Sequence, residues 1–163
     1  MRYQVKDFVP LITIFFCILT FTIIRQLFLP DWDLMAAMND FMAGFFLVFG
    51  TFKIINLHAF AKAYKEYDLL AKKQIAYGYV YPFLEIALGC AYLFRFMPVL
   101  TNIVTYLLMV FSAIGVAVEL AAGKQIMCAC LGMVFKLPMT YVTLFEDLLM
   151  AGMALGMLLQ ELF

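Results

Sequence analysis

The chain has 163 residues, is 67% hydrophobic, and carries eleven basic and eleven acidic side chains, with a mean hydropathy of +1.01. Soluble domains are about half apolar, so little here is left for one, and the missing basic surface excludes nucleic-acid binding. What remains is an all-α polytopic membrane bundle.

A helix needs roughly 20 apolar residues to cross the hydrocarbon core. Five stretches meet that length: residues 8–29, 35–57, 77–97, 99–122 and 138–162. The first follows Arg2 and Lys6 but is too long for a signal peptide and has no Ala-x-Ala site, so it reads as a retained helix. Between the first two, Asp31, Trp32, Asp33 and Asp40 make an acidic connection. Residues 58–74 are too charged to span, but Phe60, Tyr64 and Tyr67 recur at near-helical spacing, which predicts an amphipathic surface helix. The whole chain reads as one membrane domain.

Lys and Arg stay on the cytoplasmic side. With the N-terminus inside, that side receives Arg2, Lys6, Lys53, Lys62, Lys65, Lys72, Lys73, Lys124 and Lys136, and only Arg25 and Arg95 lie opposite. This predicts a bacterial-type inner-membrane protein with its C-terminus outside. Cys128-Ala-Cys130 then lies in a cytoplasmic loop, where most thiols stay reduced. Two thiolates one residue apart can clamp a soft ion such as copper(I). They can equally shuttle a strained, labile disulfide. Packing of two small residues is the bland alternative. Cys17 and Cys90, inside helices, read as inert small hydrophobes.

Polar groups at membrane depth are the other signal. Glu85 and Glu146 each lie eight residues into a span running the same way, about 12 Å deep, with Asp147 next and Lys53 reaching in from the cytoplasmic side. An ion-paired or protonated cluster of Lys53, Glu85, Glu146 and Asp147 is expected, with Glu119 nearer the interface. At 100° per residue, Gly78, Tyr81, Pro82, Glu85, Gly89 and Tyr92 share one face of the third span. Thr105, Ser112, Gly115 and Glu119 share one on the fourth. On the fifth, Met139, Thr143, Glu146, Met150, Met153 and Met157 form a stripe opposite Gly152 and Gly156, a small-residue pair suited to homo-oligomer contact. Met139 and His58 are weak additional metal-ligand candidates, packing and interface being their bland readings.

Residues 41–53, Phe-Met-Ala-Gly-Phe-Phe-Leu-Val-Phe-Gly-Thr-Phe-Lys, are followed by Tyr64-Lys-Glu-Tyr67-Asp68 and by Tyr79-Val-Tyr81-Pro82-Phe-Leu-Glu85-Ile-Ala-Leu-Gly89. With Cys128-Ala-Cys130-Leu-Gly132, Leu137-Pro138-Met139 and Glu146-Asp147, this series resembles the MauE/DoxX group of redox-associated membrane proteins. The resemblance implies a DoxX-like four-helix core with the first helix added. It also implies a role in methylamine utilisation, namely maturation of a partner, methylamine dehydrogenase, outside the cell membrane. Similar members carry a heavy-metal-associated domain, whose Cys-x-x-Cys is not among these residues. The expected function is thus an accessory membrane protein handling redox equivalents or a soft metal through Cys128 and Cys130, beside a metallochaperone or thiol-redox partner. A copper or mercury permease and a purely structural subunit are the alternatives. No nucleotide loop or Ser-His-Asp arrangement argues for an enzyme beyond thiol–disulfide exchange.

Overall fold

A computed structural model describes residues 9–28, 32–123, 127–128, 137–138 and 141–163, with the backbone alone at 127–128, 137–138 and Val142. Among the described residues six helices follow in order: α1 (Val9–Leu27), α2 (Leu34–Ile55), α3 (Leu57–Tyr64), α4 (Ile75–Leu93), α5 (Pro98–Ala121) and α6 (Tyr141–Leu162). Between α5 and α6 runs a two-residue antiparallel ladder, β1 (Met127–Cys128) with β2 (Leu137–Pro138). The molecule is a polytopic helical bundle.

The helix ends are written in the sequence. Asp33 caps α2, its carboxylate accepting the Met35 amide at 2.9 Å, and so satisfies an otherwise orphaned donor. Asn56 leaves the helical region at φ −132°, ψ 61°, ending α2 and capping α3. Pro98 opens α5, where its missing N–H costs nothing. The turn between α4 and α5 is tight, with Arg95 and Met97 in the left-handed region at φ 52° and 43°. Within the spans, Thr13, Thr22 and Thr51 donate to the carbonyl four residues back, which hides each hydroxyl from lipid.

Two antiparallel pairs make up the bundle: α2 with α4, and α5 with α6. The pairs meet through α4 against α5 and α2 against α6, while α1 packs along α2. Phe15 of α1 sits among the rings of Phe41, Phe45 and Phe49, and Arg25 bonds Asp40 at 2.7 Å. Asp40 is therefore a buried helical residue with a cationic partner, and not part of an acidic connection. At the contact of α2 with α4, a Cβ on Gly89 would lie 3.0 Å from the Leu47 amide nitrogen, so only glycine permits this approach.

Among the described residues, four helices are long and apolar enough to cross a membrane: α1, α2, α5 and residues 143–162 of α6. The third expected span, now α4, has the length, but Pro82, Glu85 and four tyrosines dilute its hydropathy. Its polar residues face the bundle, and Val80, Phe83 and Leu84 face outward.

The expected surface helix over 58–74 ends at Tyr64. Asp68 is the cause: its Oδ1 accepts the Leu70 and Ala71 amides, and its Oδ2 accepts the Tyr64 hydroxyl at 2.9 Å. This Asx-type knot turns the chain and presses Tyr67, Asp68 and Ala71 into the interior.

Candidate functional site

Lys53 lies in the last turn of α2, with its side chain buried between α3 and α4. Its ammonium lies 2.5 Å from Glu85 Oε1 on α4, 5.0 Å from the Tyr81 ring centre and 5.6 Å from that of Phe60. Both charged groups are nearly inaccessible, their side chains 9% and 2% exposed. Such a pair persists in a low-dielectric interior only when both members stay together, and the ring faces add attraction for the cation. Glu85 Oε2 is buried and makes no hydrogen bond of ordinary geometry.

The α5–α6 pair contributes the rest. Ser112 on α5 donates to Asp147 Oδ2 at 2.9 Å. Glu146, one residue earlier on α6, is 4% exposed and borders the cavity that Lys53 and Glu85 also line. A cavity of about 30 Å³ joins the two pairs, lined by Lys53, Tyr64, Tyr67, Tyr81, Glu85, Ser112, Thr143, Glu146 and Asp147 with apolar neighbours. Its size and polarity suit one or two waters. Three carboxyl groups face one ammonium here, so charge balance calls on protons or a small cation for the remainder.

Of the residues expected from sequence, the structure brings Lys53, Glu85, Glu146 and Asp147 around one cavity. Glu119 is not part of it. It is bonded to Lys72, from the turn after α3, because α5 carries it a further two turns towards the basic end. Above the cavity, burial pushes the Tyr64 phenol well above its usual range, with Tyr81 and Asp68 adding to the effect. Tyr64 therefore stays a proton donor to Asp68 at any ordinary pH. Asp68, Tyr64 and Lys72 were missed in the sequence. The Asp-x-Leu-Ala spacing of an Asx turn was the available signal for the first.

The helical faces read from periodicity match the buried ones. Gly78, Tyr81, Pro82, Glu85, Gly89 and Tyr92 are buried on α4, and Thr105, Ser112, Gly115 and Glu119 on α5. Thr143, Glu146, Met150 and Met157 are buried on α6, and Met153 of the same stripe is half-buried. Gly152 has open space around it, and a Cβ on Gly156 would lie 4.0 Å from Met38 Cε.

The thiol and metal candidates are only partly in view. Cys128 is described by its backbone, and Cys130 and Met139 lie outside the described residues. The β1–β2 register, Met127 opposite Pro138 and Cys128 opposite Leu137, makes a hairpin base from which Cys130 is two residues away. β1 approaches α3, which puts the hairpin base at the end of the bundle that carries Lys62, Lys65 and Lys72. His58 is hydrogen-bonded through Nδ1 to the Tyr79 hydroxyl at 2.7 Å. Among the described residues, no three His, Cys, Asp or Glu side chains converge as a metal site.

A family profile described as "Methylamine utilisation protein MauE" matches residues 32–160. The chain belongs to the MauE family. The MauE match runs from just before α2 to the last turn of α6, so every member of the buried cluster and the thiol pair fall inside it and α1 falls outside. No curated protein and no solved structure matches the chain. MauE membership and the apolar helices together make this a multi-pass membrane protein associated with methylamine utilisation.

Proposed function

We propose that this MauE-family protein is an accessory membrane subunit that handles redox equivalents through Cys128 and Cys130 during maturation of a partner. The observation that supports this is the hairpin base: Cys128 is fixed by a backbone ladder beside α3, two residues from a second thiol. Such a pair suits exchange with a thiol-redox protein, because a disulfide across one intervening residue is strained and easily reduced. In this reading the basic end is cytoplasmic and the C-terminus lies outside, following the charge asymmetry. Copies meet through the open Gly152 face of α6.

The soft-metal reading has less support, since Met150 and Met157, which would continue a thioether path, are fully buried packing residues. The deciding experiment counts free thiols and bound copper in purified protein with and without reductant. The expected result is a reversible Cys128–Cys130 disulfide under mild oxidant, with little copper, and loss of methylamine-dependent growth in Cys128→Ala/Cys130→Ala. Full growth in the double variant would sink the thiol role, and stoichiometric copper dependent on both thiols would favour the metal role.

A further inference from the structure

The small cavity between the helix pairs is polar towards one end of the bundle and apolar towards the other. On the side of the basic end it is walled by Tyr64 and Tyr67, and the Tyr64 hydroxyl donates to Asp68, in the turn after α3, at 2.9 Å. On the opposite side Phe45, Phe49 and Met109 line it, and Met42, Phe46 and Met150 lie in the same buried core. None of these apolar residues is more than 5% exposed. Water and hydroxyl groups pass protons along, whereas a close-packed apolar layer leaves no room for water to do so.

Inside the cavity the formal charges do not balance. Lys53 pairs with Glu85, and Glu146 and Asp147 line the same space with no second cationic side chain among its described lining residues. Glu85 and Glu146 are 1% and 4% exposed, and unbalanced negative charge in such surroundings calls for positive charge. Glu85 Oε2 is an independent sign of the same need. It is a buried acceptor that no described donor satisfies, so its bond must come from within the cavity. A metal ion would take several oxygens converging on one point, and no three acidic side chains converge in that way among the described residues. A carboxylic acid O–H that reaches Glu85 Oε2 through one water meets both needs and fits about 30 Å³.

We propose that this cavity is a one-sided proton-binding site, in which Glu146 and Asp147 carry exchangeable protons opposite the Lys53–Glu85 pair and exchange them only with the basic end. Tyr67, from the turn, and Tyr81, on α4, are the other titratable groups facing the acids. The path out runs through cavity water to Tyr64. Its oxygen accepts a proton as its own hydroxyl proton passes to Asp68, so one O–H bond forms for each that breaks. The apolar layer on the other side makes the site a store and not a route across the membrane. The site does not depend on the thiol hairpin, and its failure would leave the thiol reading untouched.

The test uses the full chain in phosphatidylcholine nanodiscs, followed by infrared spectroscopy as the buffer is switched from ordinary to heavy water at neutral pH. A carboxylic acid carbonyl band that shifts on exchange is expected in the wild type. Glu146→Gln and Asp147→Asn keep the side-chain size, and the second keeps an oxygen for Ser112 to donate to. Each should remove a large part of the band, and Glu66→Gln, at an exposed position, should remove none. Tyr64→Phe should slow the exchange by about tenfold, the effect of one lost hydrogen bond to a charged group, and Tyr92→Phe, at the other end of α4, should leave it unchanged. A wild-type spectrum without the band, or a band untouched by both acid variants, would overturn the proposal. Saturable binding of radioactive sodium that both acid variants lose would also overturn it, since the occupant would then be a metal ion. Exchange as fast in Tyr64→Phe as in the wild type would refute the one-sided path.

Discussion

Lys53 and Glu85 are the residues on which the interior's charge turns. Their separation of 2.5 Å and near-complete burial mean that removing one partner strands the other in apolar surroundings, at about 3–5 kcal/mol. Lys53→Met and Glu85→Leu should each lower the unfolding midpoint in micelles sharply, and the double variant should recover most of the loss. A wild-type midpoint for Lys53→Met alone would show that the ion pair carries no such weight. The pair was legible in the sequence because depth and helical phase are local arithmetic: Glu85 shares a face with Tyr81 and Gly89, and Lys53 ends the preceding span. Lys72 with Glu119 was not, since 47 positions separate them and nothing local says that the turn after α3 folds back on α5.

At the scale of elements, that turn is held by a close approach. A Cβ on Gly115 of α5 would lie 2.9 Å from the Tyr67 carbonyl oxygen, and a backbone atom cannot swing aside as a side chain does. Gly115→Ala should therefore push the turn away and cost about 1–3 kcal/mol, as overpacking does. Gly152→Ala on α6, with nothing within 4 Å, should gain up to about 1 kcal/mol of helix propensity in a monomer. The two variants can be ranked in one thermal-denaturation series, and equal midpoints would refute the packing argument. Element boundaries were readable because apolar runs end at Asp33, Asn56 and Pro98. The length of α3 was not, because the aromatic spacing continues to Tyr67 while Asp68 captures the backbone that would have extended the helix. The hydropathy of α4 is diluted for a related reason. Its tyrosines and Glu85 face α2 and the neighbouring pair, and hydropathy cannot tell an inward polar face from an outward one.

For the whole molecule, the proposed sidedness rests on the basic end, where α3, the Lys72 turn and the hairpin base come together. In a Cys17→Ala/Cys90→Ala background, an impermeant maleimide should label Cys128 and Cys130 in inside-out vesicles and spare them in intact cells. Labelling of intact cells would invert the orientation. The thiol pair itself was fully legible as a motif, yet its surroundings were not, since a loop's path depends on contacts that no periodicity encodes.

The internal arrangement of charges has a consequence for how the chain is made. Lys53 and Glu85 both belong to the α2–α4 pair, and Ser112 and Asp147 both belong to the α5–α6 pair. The Lys53–Glu85 and Ser112–Asp147 contacts can therefore form within each hairpin as it leaves the insertion machinery, before the other half exists. Later contacts, such as Tyr92 to Asn102 and Lys72 to Glu119, bridge the halves, and the chain passes between them through the Phe94–Met97 turn. A gene severed at that turn and expressed as two fragments should then yield a co-purifying complex. Fragments that are degraded separately would mean that the halves insert as one obligate unit.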